Sequence, residues 1–158
     1  MAEPRFIADL NVGRLAKWLR VMGYDTLLIP DIEDGELVRV ALKEDRIVLT
    51  RDRYIMRRRM VVSGELKALL ILSDALDSQL RQVVEAYGLN ARLGFSRCIE
   101  CNVLLLEVPR EDARERVPPF VFQTQEEFME CPSCQKMYWR GTHWHNMRLE
   151  LARLRNGS

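Results

Sequence analysis

The chain has 158 residues, 47% of them hydrophobic and 30% charged, with a formal net charge of +1. That is enough for one ordinary domain, or a small domain with an appendage, in a soluble protein able to bury a core. The overall balance points to no partner, so local clusters must be read instead. No apolar stretch approaches the ~20 residues of a membrane span, and the N-terminal MAEPRFIADL lacks the basic-then-apolar order of a secretory signal. The expected compartment is the reducing cytoplasm, where cysteines serve as thiols or metal ligands rather than in disulfides.

Four short apolar runs each lead into an aspartate: FIAD at Asp9, LLIPD at Asp31, IVLTRD at Asp52 and LLILSD at Asp74. They begin near Phe6, Thr26, Ile47 and Ala68, a repeat of about 21 residues. Phe6–Ala8 is the first strand candidate. Val12, Leu15, Ala16, Leu19 and Met22 then follow one helix face, and Gly23 is a helix stop. Thr26–Ile29 is the next strand, followed by a helical stripe of Leu37, Val38, Ala41 and Leu42. Ile47–Leu49 and Ala68–Leu72 are the third and fourth strands. Leu76, Leu80, Val83, Val84 and Tyr87 form a further helix face, with Gly88 behind it. The strands are continuous apolar runs, as expected where both faces are covered. Alternating β and α elements argue for an α/β domain with a central parallel sheet between helices.

The character changes near Gly94. All four cysteines follow it, as CIEC (Cys98, Cys101), 29 intervening residues, then CPSC (Cys131, Cys134). Between them lie VLLLEVP, a strand candidate, a charged segment at 110–116, and Pro118-Pro119. A last helix is expected from about Thr142, with Trp144, Met147, Leu151 and Leu154 on one side. Paired C-x-x-C motifs resemble zinc-ribbon knuckles: two thiolates three positions apart grip one tetrahedral ion from a tight turn. Positive φ is common just after each second cysteine, where Gly is easiest; here Asn102 and Gln135 stand. Disulfides or unrelated thiols are the plainer alternative. Four cysteines leave no open coordination position, so the expected zinc is structural.

Groups just past the C-terminal ends of parallel strands gather in one crevice. Several carboxylates there repel unless a cation sits among them, and carboxylate oxygens suit Mg²⁺ or Mn²⁺. Asp9 follows the first strand and Asp52 the third. Asp34, near the start of the second helix, can face the same crevice, with Asp31 and Glu36 as rivals. Asp74 follows the fourth strand. Each of these can instead be a helix N-cap, but capping can equally be done by Asn11, Thr50 or Ser73.

FIADLNVGRLAKWLRVMGYDT, DGELVRVALKEDRIVLTRDR, SRCIECN and CPSCQKMYWRGTHW resemble the C-terminal RNase domain of mut-seven-type exonucleases, over nearly the whole chain. D-x-x-x-G-R-L-A-x-W-L-R, T-R-D-R and two cysteine knuckles, in that order, carry the resemblance. It implies a PIN-like three-layer α/β domain over 1–95, then a zinc ribbon with a C-terminal helix over 96–158. It further implies a metal-dependent ribonuclease whose acidic set falls on Asp9, Asp34 and Asp52. Many PIN domains carry another acid two positions on, in a T-x-D-x-D pattern. Tyr54 stands there in this chain, leaving Asp74 as a substitute candidate. PIN-like domains often dimerise, so a homodimer is admitted.

Arg51, Arg53, Arg57, Arg58 and Arg59 adjoin Asp52. They offer either a path for a phosphate backbone or a solvated helix face. Arg14, Lys17 and Arg20 on the first helix extend the track or merely flank its apolar stripe. In the tail, Lys136, Tyr138, Trp139, Arg140, His143, Trp144 and His145 suit single-stranded RNA, by stacking and phosphate contact. Packing competes, and at least one Trp is expected to dock the small ribbon. The leading expectation is hydrolysis of RNA phosphodiesters, in single-stranded or structured RNA, with Mg²⁺ or Mn²⁺ at the Asp cluster and structural zinc in the ribbon. The alternatives are an RNA-binding module with a degenerate site, and a protein-interaction scaffold whose ribbon docks on a partner.

Overall fold

A computed structural model describes residues 3–90, 94 and 96–155, with 154 and 155 described by backbone alone. The expected packing of Leu154 therefore lies outside the described side chains. The chain divides into two compact units, Met1–Arg20 with Tyr24–Asn90, and Val21–Gly23 with Ala91–Ser158. Among the described residues no helix is long and apolar enough to cross a membrane.

The first unit is a four-stranded, wholly parallel sheet in the order β2-β1-β3-β4. Its strands are β1 (Phe6–Ala8), β2 (Thr26–Leu27), β3 (Ile47–Thr50) and β4 (Ala68–Leu70). The two central strands, β1 and β3, are buried at every residue, as their uninterrupted apolar runs require. A 3₁₀ turn at Leu10–Val12 leads into α1 (Gly13–Val21), which buries Leu15, Ala16 and Leu19. α2 (Asp34–Glu44) begins with Asp34 and Glu36 in its first turn, where carboxylates favour the helix N-terminus. It ends at Asp45 with φ of 54°, a left-handed cap made without glycine. Two short helices, α3 (Arg53–Met56) and α4 (Arg59–Val62), precede β4, and α5 (Leu76–Tyr87) follows it.

Ile7 and Val48 of the sheet pack with Leu37, Val38 and Ala41 of α2, Ile55 of α3 and Leu66. The neighbouring Phe6, whose side chain points to the other face of the strand, meets the Tyr87 ring of α5 edge-on at 5.8 Å. β2 and β4 are shorter than the apolar runs suggested, because a strand needs a partner. β2 pairs with β1 only through Phe6↔Thr26 and Ile7↔Leu27. β4 runs out where β3 does, at Thr50↔Leu70. Beyond that point Gln82 of α5 takes over, donating to the Leu70 carbonyl at 2.8 Å and accepting from the Leu72 N–H at 3.0 Å.

The second unit holds a three-stranded antiparallel sheet of β5 (Leu106–Val108), β6 (Phe128–Glu130) and β7 (Met137–Tyr138), in that order. Of VLLLEVP only Leu106–Val108 is strand; Leu104 makes an isolated bridge with Arg97. The charged stretch yields α6 (Arg110–Ala113), and Pro118-Pro119 opens α7 (Pro119–Thr124) with proline at its first position. α8 (Thr142–Arg155) closes the chain and buries Leu151. Ala113, Val117 and Phe128 form a small core against which Phe122 and Trp139 pack.

Arg46, unremarked in the sequence pattern, is buried in the first unit. It pairs with Asp25 at 2.7 Å and Glu44 at 3.0 Å, and donates to the Phe6 carbonyl at 3.1 Å. Arg46→Ala is expected to cost roughly 2–3 kcal/mol, since charge-assisted bonds are lost from a closed site. Urea unfolding measures this, and a loss below about 0.5 kcal/mol would reduce the guanidinium to a spectator.

Candidate active site and metal centre

The chain leaves β1 for β2 on one side, then crosses back to β3 on the other. Strand order reverses between β1 and β3, and it is beyond the carboxyl ends of strands at such a reversal that open α/β sheets form their binding crevice. Asp9 is the first residue after β1 and Asp52 the second after β3, while Asp34 opens α2. One carboxylate oxygen from each lies within 4.8 Å of the other two, and all three residues are half-buried. At that spacing each like-charged pair repels by about 1 kcal/mol in water, and by ~3–4 kcal/mol at an effective dielectric near 20. Among the described residues no Lys, Arg or His forms an ion pair with any of the three.

The carboxylates are fixed by a small polar network. The buried Thr50 hydroxyl donates to Asp9 Oδ2 at 2.9 Å and accepts the Asp52 N–H at 2.9 Å. Asn11 Nδ2 also reaches Asp9 Oδ2, at 3.3 Å, and Asn11 Oδ1 accepts the Arg51 N–H at 3.3 Å. Capping is real here too: Asp9 Oδ1 accepts the Leu10 N–H and Asp52 Oδ1 the Tyr54 N–H, each at 2.8 Å. Helix capping and clustering are thus both served by the same two side chains. The Asp34 carboxylate accepts no hydrogen bond from a described residue. A set of three carboxylates without a cation suits a hard divalent ion.

Of the rivals for the second position, Asp31 is exposed in a turn with φ of 58°, and Glu36 is ion-paired with Arg39. Asp74 lies outside the group of three. It is exposed, and lines a recess with Asn11, Arg14, Lys17 and Gln79. Ser73, not Asp74, accepts the Ala75 N–H at the approach to α5. Arg14, Arg51, Arg53, Arg57 and Arg58 are all exposed. Arg20 leaves the basic track: it is buried and its Nε donates to the Thr26 carbonyl at 2.8 Å.

In the second unit, Cys98, Cys101, Cys131 and Cys134 bring their four sulfurs within 4.8 Å of one another. The two knuckles repeat one geometry. The N–H of the residue after each second cysteine returns to the first cysteine's carbonyl: Asn102 to Cys98 and Gln135 to Cys131, both at 2.9 Å. Those two residues have φ of 69° and 62°, the left-handed conformation expected there. Backbone N–H groups of Cys101, Ser133 and Cys134 point at the first sulfur of their own knuckle, each at 3.4 Å.

Tyr138, expected among the RNA-stacking rings, has its hydroxyl committed to this cluster. Its hydroxyl donates to Cys98 Sγ at 3.1 Å and accepts the Ile99 N–H at 3.0 Å. A tyrosine in a strand leaving the second knuckle, across the cluster from the first, was the available signal. Burial pushes the Cys98 thiol up, but hydrogen bonds from Tyr138 and from the Cys101 and Glu100 N–H groups outweigh it and bring it to about 7. Cys101 is pushed up to about 12, chiefly by its contact with Cys134 and by burial. The Cys98 thiolate thus forms readily while that of Cys101 is resisted, as expected of thiols set close enough to share one cation.

The tail residues are largely engaged within the second unit. Trp139 packs against the small core and covers Gly141, where an added Cβ would lie 2.9 Å from its Nε1. Arg140 pairs with Glu127 at 3.2 Å and lies over the Trp144 ring. Lys136 is exposed, 5.5 Å from the centre of the Tyr138 ring. An apolar recess of about 240 Å³ is lined by Ile99, Leu105, Tyr138, Trp144 and Met147.

The Mut7-C RNAse domain family matches residues 4–151. Comparisons with curated proteins and with solved structures find no significant match.

In metal-free protein the first thiolate is expected to form with a midpoint of about 7. Tyr138→Phe removes a donor that favours the charged sulfur, so the midpoint moves upward. Ultraviolet thiolate absorbance across a pH titration reads it, and an unmoved midpoint would separate Tyr138 from the charge on Cys98.

Proposed function

The chain belongs to the Mut7-C RNAse domain family, and from that premise we propose that it is a metal-dependent ribonuclease, with a PIN-like nuclease domain over 1–95 and a zinc ribbon with terminal helix over 96–158. The observation that carries the reading is the unneutralised group of Asp9, Asp34 and Asp52 at the strand-order reversal. These residues would hold Mg²⁺ or Mn²⁺. When bound, such an ion supplies Lewis-acid charge that neutralises phosphate and makes water a better nucleophile at neutral pH.

The chain's own residues do the rest. Thr50 and Asn11 hold the Asp9 carboxylate in one orientation, and Thr50 ties it to the Asp52 backbone. Because these bonds exist before substrate arrives, little reorganisation is left for the reaction. Arg51, Arg53, Arg57 and Arg58 offer exposed guanidinium forks to an RNA backbone beside Asp52. Arg14 adds charge in the recess that includes Asn11.

The four cysteines would hold a structural zinc. Their sulfur donors, the paired knuckles and the N–H groups aimed at sulfur all fit a closed tetrahedral site. Lys136, Trp139 and Arg140 are the ribbon's candidate RNA contacts. Trp139 and Arg140 would have to act while still packed or paired within the unit.

One observation favours a second reading. The position where many PIN domains carry a fourth acid holds Tyr54, which is exposed, so the site would be incomplete and the protein an RNA-binding module.

End-labelled RNA and metal-stripped protein decide between them. Cleavage restored by Mn²⁺ or Mg²⁺, and reduced at least about 100-fold in Asp52→Asn, is the expected outcome. RNA binding without turnover in either metal would favour the binding module. Purified protein is also expected to carry one zinc ion, lost together with the fold of the second unit in Cys131→Ser. Metal analysis with circular dichroism checks this, and an unaltered, zinc-free fold would count against the ribbon.

A further inference from the structure

Tyr54 is 74% exposed, yet its backbone is firmly held. Its N–H donates to Asp52 Oδ1 at 2.8 Å, and the next residue, Ile55, is fully buried in the core beneath α2. The ring therefore projects into solvent from a fixed base, two positions along the chain from Asp52 of the acidic group. The Arg57 guanidinium carbon lies 5.4 Å from the ring centroid, within cation–π range. Arg53 and Arg58 are exposed on the same short segment.

A single exposed apolar side chain is ordinary. An exposed aromatic ring on a held backbone two positions from Asp52, with the Arg57 guanidinium at cation–π distance, has a more particular chemistry. A further acid here would add negative charge toward an incoming phosphate. Tyr54 with its arginines offers a π face for a base and positive charge for the phosphates on either side. Bases in a duplex have their faces covered by neighbours, whereas unpaired bases are free to stack on a protein ring.

We propose that Tyr54 is a base-stacking residue that selects single-stranded RNA, holding an unpaired base next to the scissile phosphate against its ring. This deepens the ribonuclease reading and rests on it. The ring, not the phenol hydroxyl, makes the contact, so Phe or Trp can replace Tyr54 and Ala cannot.

The test uses the full chain carrying Asp9→Asn, so that RNA is bound without being cut. The probes are oligoribonucleotides, single-stranded or duplex, with a fluorescent base analogue quenched by stacking placed at each position in turn. The expected result is quenching at one position of the single strand. Adding Tyr54→Ala should abolish that quenching and weaken single-strand binding about 10-fold, while Tyr54→Trp retains both and duplex affinity stays unchanged. Equal affinity and equal quenching with Tyr54→Ala would overturn the stacking role and leave the ribonuclease reading standing. Failure of the chain with Tyr54 intact to bind RNA at all would overturn both.

Discussion

Gathering like charges in one place is the constraint on which the rest of this protein turns. Asp9, Asp34 and Asp52 are brought within 4.8 Å at a cost that solvent alone only partly screens. Two of them are tied together by a fully buried threonine at the last position of β3, whose one hydroxyl serves both the Asp9 carboxylate and the Asp52 N–H. The central strands make this feasible. β1 and β3 are buried throughout and paired in register from Phe6↔Ile47 to Ala8↔Leu49, so the residues just past them have little freedom to spread apart.

The second unit solves a similar problem with softer donors. Four sulfurs meet on two turns of one geometry, and backbone N–H groups and the Tyr138 hydroxyl are aimed at them. The donors around the sulfurs separate them: hydrogen bonds bring the Cys98 thiol down to about 7, while contact with Cys134 and burial push Cys101 up to about 12. Oxygen donors in one unit and sulfur donors in the other suit different ions. A hard divalent cation fits the carboxylates and a softer tetrahedral one the thiols, so the two sites need not compete for metal.

Much of this was legible from patterns whose cause is local. Continuous apolar runs marked β1 and β3, and helix-period stripes marked α1, α2 and α5, because burial on both faces or on one face leaves its own period in the residues. Positive φ at Asn102 and Gln135 followed from knuckle geometry alone. What the sequence left unread depends on which partner a residue finds. β2 and β4 stop where their neighbours stop, which no run of apolar residues records. Arg20 looks like a surface cation until the Thr26 carbonyl appears beside it, and no pattern in the sequence joins the Tyr138 hydroxyl to the Cys98 sulfur. Asp74 satisfies the same strand-end rule as Asp9 and Asp52, yet it falls outside the group of three. It follows β4, an edge strand, away from the place where strand order reverses.

Anomalous diffraction from crystals grown with Mn²⁺ tests the central claim most directly. A peak coordinated by oxygens of Asp9, Asp34 and Asp52, and lost in Asp52→Asn, is the predicted result. Manganese absent from that crevice at saturating concentration, with the three carboxylates turned apart, would contradict it.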